Sequence, residues 1–149
     1  MKKSVFLVLL AIFCSCSHKI HLEGYGDVMR CEISRQQWES LDFYRGVWYP
    51  ENVFLRENGQ WKYSDSVFGL DLYQIRFLPD NSLIEYHSGI YGSKTLNALW
   101  QIDFNKAILS VTYEGIIDNR YFIILGVKAD SFCLQEGDCL VCYQRKMPD

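Results

Sequence analysis

Residues 97–114 read NALWQIDFNKAILSVTYE, and their alternation decides the fold class. Ala98, Trp100 and Ile102 fall on one side of an extended segment, with Asn97, Gln101 and Asp103 on the other. After the turn pair Asn105-Lys106 the pattern resumes, with Leu109, Val111 and Tyr113 opposite Ser110, Thr112 and Glu114. Successive side chains of a strand point to opposite faces, so each segment has one apolar face for a core and one polar face for water. A repeat of two, rather than of three to four, reads as strand.

Working outward, the same kind of run recurs at 45–49, 53–56, 61–64, 71–78, 83–88, 121–127, 131–135 and 139–145. Asn58-Gly59, Pro79-Asp80-Asn81-Ser82, Ala129-Asp130 and Gly137-Asp138 separate these runs with turn chemistry. Connections so short force neighbouring strands to pair antiparallel. Four Trp, ten Tyr and nine Phe among 149 residues suit pleated, half-buried surfaces. The expected fold is all-β, an antiparallel up-and-down barrel of 8–10 strands over residues 34–146, because closure removes unpaired edges. A two-sheet sandwich is the runner-up. One short helix is expected ahead of the barrel: Ser34-Arg35-Gln36-Gln37 has the capping-box form before Trp38 and Leu41, and the helix should end near Phe43.

The N-terminus carries an address. Lys2 and Lys3 precede an apolar run from Val5 to Phe13, nine residues long and well short of the roughly 20 that a spanning helix needs. Residues 1–15 are therefore read as a secretory signal. A small residue, Ser15, precedes Cys16, whereas bulky Phe13 precedes Cys14, so Cys16 is the better processing point. The stretch Phe13-Cys14-Ser15-Cys16 resembles the lipobox of bacterial lipoproteins, with Phe where Leu is usual. That resemblance implies acylation of Cys16 and a membrane partner reached through the lipid. An ordinary cleaved signal followed by a free domain is the alternative. Residues 16–33 are read as a tether, and with no early acidic cluster after Cys16 the expected location is the periplasmic face of a bacterial outer membrane. The chain's net charge is −3 and its basic residues are scattered singly, which argues against a nucleic-acid partner.

Gly46-Val47-Trp48 adds specificity. A Gly-x-Trp at the first barrel strand, after a short helix, resembles the entry motif of lipocalins. The Leu41 to Trp48 spacing, Phe77-Leu78-Pro79-Asp80 and Trp100 to Asp103 are similar to segments of small lipocalin-like lipoproteins of Bacteroidetes. The resemblance implies that Trp48 closes the barrel floor and that Arg145, beyond the last strand, covers it. Asp118-Asn119-Arg120-Tyr121 only faintly echoes the second lipocalin motif, whose Thr is missing.

With Cys14 in the leader and Cys16 read as acylated, Cys31, Cys133, Cys139 and Cys142 remain, and an exported chain favours disulfides, with three pairings open. If Gly137-Asp138 is a two-residue turn, Cys133 faces Cys142, Leu134 faces Val141, and Phe132, Leu134, Val141 and Tyr143 share a face. A Cys133–Cys142 bridge is expected, leaving Cys31 and Cys139 as a second pair. Cys139 and Cys142 also spell CxxC, but on a strand they point to opposite faces, which disfavours redox and zinc chemistry.

No catalytic residue, metal site or cofactor is expected. Glu85 and His87 would share a strand face and are the best acid–base pair available to a hydrolase reading. The main expectation is a lipid-anchored barrel that holds a small apolar or amphipathic molecule, with Trp100, Tyr113 and either Tyr73 or Tyr86 lining its interior. The alternative is an adaptor with a filled core that presents its surface to an envelope protein.

Overall fold

Strand β3 (Val47–Glu57) opens a meander that continues through β4 (Gln60–Tyr63), β5 (Asp71–Phe77), β6 (Ser82–Gly89) and β7 (Gly92–Asp103). It ends with β8 (Ile108–Tyr113), β9 (Arg120–Lys128), β10 (Ser131–Glu136) and β11 (Cys139–Lys146), and a hairpin of β1 (His18–Leu22) and β2 (Gly26–Arg30) precedes it. The computed structural model describes residues 18–30, 42–64, 71–89 and 92–147. From β5 to β11 each strand pairs antiparallel with the next, and β11 pairs with β3 from Lys146↔Val47 to Cys139↔Leu55. With Trp48↔Ile75 joining β3 to β5, eight strands close into a barrel.

The alternation of residues 97–114 survives in three dimensions. Trp100 opposes Val111 and Ala98 opposes Tyr113. These four residues and Leu109 are all buried, while Gln101 and Thr112 face water. Ten expected strands become nine here, because runs 45–49 and 53–56 are the two halves of β3. Pro50 does not break it: the register with β11 slips between Cys142↔Asn52 and Tyr143↔Pro50, and a bulge tolerates a residue without an N–H. At Asn58-Gly59 both residues take positive φ, 51° and 78°, which suits the twist of the two-residue β3–β4 hairpin.

One end of the barrel is plugged by aromatic rings. Trp48 is fully buried, stacked on Phe43 at 4.9 Å and edge-on to Phe132 at 4.8 Å. Phe132 stacks on Tyr143 at 5.2 Å, and Phe77 meets Trp100 at 5.5 Å. The Trp48 Nε1 donates to the Phe43 carbonyl at 3.2 Å, so the indole loses no hydrogen bond by being buried. The Arg145 guanidinium carbon lies 5.1 Å from the Trp48 ring centroid. Its nitrogens donate to the Asp42 carbonyl (2.9 Å), the Ala129 carbonyl and Asp130 Oδ1 (3.2 Å). Gly46 makes this closure possible. Its φ is +85°, and a Cβ there would lie 2.8 Å from the Lys146 carbonyl oxygen and 3.3 Å from Arg145 Cγ.

A second apolar layer lies outside the barrel wall. Leu22, Val28, Phe54, Trp61, Leu125, Leu140, Cys133 and Cys142 form a separate buried cluster beneath the β1–β2 hairpin. The hairpin joins the barrel sheet at Leu22↔Trp61. Gly126 lets it come close: Val28 Cγ1 is 3.2 Å from where a Cβ of Gly126 would stand.

One expectation changes, and a second falls largely outside the described residues. Residues 16–33, read as a tether, contain this packed hairpin; its sparse pattern, with Leu22 and Val28 buried, is too thin for sequence periodicity to reveal. The helix expected from Ser34 to Phe43 falls largely on residues 31–41, outside the described residues. Residues 42–44 form a turn, and no helix occurs among the described residues.

Candidate functional site

Above the aromatic floor the barrel is hollow. A cavity of about 320 Å³ lies among Ile75, Phe77, Leu83, Leu109, Val111 and Leu134, with Val53, Val141 and Tyr143 closing its other side. Its size sits near the lower end of the roughly 300–1,000 Å³ typical of small-molecule sites.

Polar groups enter this cavity in a row at the mouth end. In β6, Leu83 and Glu85 are buried and alternate with Ile84 and Tyr86, so parity carries Glu85 and His87 inward. Glu85 is only 4% exposed. The Tyr113 hydroxyl donates to its Oε1, and His87 Nε2 stands 3.3 Å from its Oε2, long for a strong bond. Burial, reinforced by the adjacent Glu85 carboxylate, pushes the Tyr113 hydroxyl well above the usual tyrosine pKa, so it stays a donor.

Arg120 begins β9 and Glu136 ends β10, and both line the same cavity. The Arg120 guanidinium grips Glu136 through two nitrogens, Nε at 2.9 Å from Oε1 and Nη2 on Oε2. It also lies 4.9 Å from the Phe122 ring centroid. Hydrogen bonding from Arg120 holds the Glu136 carboxyl below the usual glutamate range. Cys139, opposite Glu136 across the hairpin, completes this rim, and burial pushes its thiol pKa up, which makes it a poor nucleophile.

An apolar chamber whose lining includes carboxylates, an imidazole and a guanidinium can hold an apolar body and orient a polar end. Of the residues expected to line a ligand site, Tyr113 is buried and bonds Glu85 but is not among the residues that line the cavity. Trp100 faces inward but belongs to the floor, where its Nε1 donates to the Ser82 carbonyl at 3.0 Å. Tyr86 is corrected: the parity that turns Glu85 and His87 in turns it out, and it is exposed. Tyr73 pairs with His87 across β5 and β6, and its side chain lies outside what is described.

Trp48 and Arg145 stand together as the resemblance implied. Cys133 and Cys142 are directly opposite and bonded, with both sulfurs in the outer cluster. The second pair is not formed at Cys139, which is a free thiol. Cys139 faces the cavity, whereas β2, which leads to Cys31, packs on the outer face; Cys31 itself lies outside the described residues, as does Cys16. Arg120, Phe122 and Glu136 were not anticipated as site residues. The one signal was inward parity: Glu136 faces Cys139 across a two-residue turn and shares a strand face with Phe132 and Leu134.

No family model and no curated protein sequence matches the chain. Solved structures do. An uncharacterized protein from Bacteroides eggerthii superposes with a TM-score of 0.52 at 11% identity, over 69% of this chain and 99% of that one. A lipocalin-like protein from Bacteroides uniformis gives 0.53 at 13% identity, over 69% and 98%. The chain has a lipocalin-like barrel fold. At such identities the likeness carries the fold and no ligand.

Proposed function

We propose that the barrel binds a small, mostly apolar molecule in the chamber between the aromatic floor and the mouth, with the molecule's polar end against the row that Glu85 and Arg120 form. The observation that carries this reading is a cavity of about 320 Å³ in which an apolar wall meets a carboxylate only 4% exposed. A barrel whose own side chains filled it would leave no such space, and a buried carboxylate with two contacts retains room to accept more hydrogen bonds.

Calorimetric titration with 1-octanol tests it. The protein should bind one equivalent saturably. Val141→Phe, which places a ring in the chamber, should weaken binding at least tenfold while the β-sheet circular dichroism is kept. No saturable heat, or equal affinity in the variant, would refute the reading.

In the same reading the barrel is held at the bacterial envelope, on the periplasmic face of the outer membrane, by acylation of Cys16. The apolar run from Val5 to Phe13 and the stretch ending at Cys16 support this. Two or more acyl chains give a stable anchor where one does not. Expression with a clickable palmitate analogue should label the full chain and leave Cys16→Ala unlabelled; label on the variant would contradict it.

A further inference from the structure

We infer that the molecule held in this chamber carries an amine, bound as an ammonium against Glu85. The inference rests on the ligand-binding reading above and deepens it. It starts from the charges on the cavity wall, which are the carboxylates of Glu85 and Glu136, the guanidinium of Arg120 and the imidazole of His87.

Arg120 is already engaged. Its fork is taken by both oxygens of Glu136 and its face lies on Phe122, so within the row these two opposite charges cancel. Glu85 is different. It is the deeper carboxylate, 4% exposed, and its contacts within the cavity are the Tyr113 hydroxyl and the His87 ring nitrogen at 3.3 Å. Tyr113 is a neutral donor whose hydroxyl is held protonated by burial. Among these groups two carboxylates stand against one guanidinium.

A buried carboxylate beside a water-poor apolar space gains most from a cation brought to it. A ligand ammonium has three donors, and Glu85 retains acceptor capacity on both oxygens. A ligand carboxylate would meet two like charges on the wall, and the guanidinium there already holds Glu136 through Nε and Nη2. A neutral alcohol would gain a hydrogen bond and no Coulomb attraction. The apolar walls formed by Leu83, Val111 and Val141 then take the hydrocarbon part. The occupant is thus a small alkyl or aryl amine.

Three probes of equal chain length separate the possibilities: n-octylamine, 1-octanol and octanoate, titrated calorimetrically at neutral pH and low salt. Octylamine should bind at least tenfold more tightly than octanol, and octanoate more weakly than either. Glu85→Gln, which keeps the side-chain shape, should cost octylamine at least tenfold more affinity than it costs octanol and so remove the advantage of the amine. Arg120→Gln leaves Glu136 uncompensated at the rim and should strengthen octylamine binding, which keeps the test decisive should Glu85→Gln fold poorly. Octanol bound as tightly as octylamine, octanoate bound most tightly, or an unchanged octylamine advantage in Glu85→Gln would overturn the amine inference while leaving the chamber a binding site. If none of the three binds, the ligand-binding reading fails and the inference fails with it.

Discussion

At the floor, Trp48 is fully buried between Phe43 and Phe132, and the polar groups around it bond to the protein itself: the indole N–H to the Phe43 carbonyl, two nitrogens of the Arg145 guanidinium to the carbonyls of Asp42 and Ala129. At the mouth, Glu85 is almost as deeply buried, yet its carboxylate retains capacity that the Tyr113 hydroxyl and His87 do not use, and it faces a hollow. The two ends have the same β-barrel wall and differ in what fills it. Interlocked rings fix the closure and exclude a guest. Spare polar capacity beside an unfilled apolar space does neither, and under the proposed reading stability belongs to one end and binding to the other.

The contrast can be broken most severely at Trp48. Trp48→Ala should cost about 3–5 kcal/mol, the usual range for removing a buried aromatic, and urea denaturation should show it; a loss below about 1 kcal/mol would mean that the floor does not hold the barrel shut. Next comes the disulfide of the outer layer. Cys133→Ser with Cys142→Ser should lower stability by about 2 kcal/mol, near the low end for a short loop, while octanol affinity stays unchanged because both sulfurs lie outside the cavity wall.

Gly46→Ala should cost about 2 kcal/mol, since the backbone at φ +85° is strained for any Cβ and the Lys146 carbonyl stands in its way. The comparison sharpens with Tyr113→Phe. Losing a single hydroxyl should shift the unfolding midpoint by about 1 kcal/mol or less and yet change amine affinity severalfold, the reverse of the floor variants. The smallest effect is at the rim. The Glu136 carboxyl titrates below its ordinary value of 4.5 because Arg120 holds it ionised. Its contribution is therefore complete above pH about 4.5 and is lost as pH falls through the lower folded value. Thermal melts between pH 3 and 5 should fall more steeply for the wild type than for Glu136→Gln, by a small margin because the pair is half exposed and screened by water.

Strand alternation carried the fold a long way. The two faces of 97–114 and the register of the 131–144 hairpin, with Cys133 opposite Cys142, follow from a repeat of two and a two-residue turn, which are local properties. The floor pair needed a resemblance, since Trp48 and Arg145 are joined only by barrel closure. The site was harder to read for a physical reason. Alternation reports the face of a residue and not its height along the barrel axis, so Trp100 points inward as expected yet sits in the plug. An assumption that aromatic residues line a pocket placed Tyr86 inside, although Glu85 and His87 could share the interior only if it faced out. Arg120 and Glu136 escaped notice because charge normally marks the solvent face, and this pair stands half exposed where the chamber meets solvent.

Methyl NMR of the protein titrated with n-octylamine tests the central claim most directly. The account predicts saturable shifts at the cavity methyls of Leu83, Val111, Leu134 and Val141, with Val28, Leu125 and Leu140 of the outer layer unmoved. Shifts confined to the outer layer, or none at the cavity methyls at saturating amine, would contradict it.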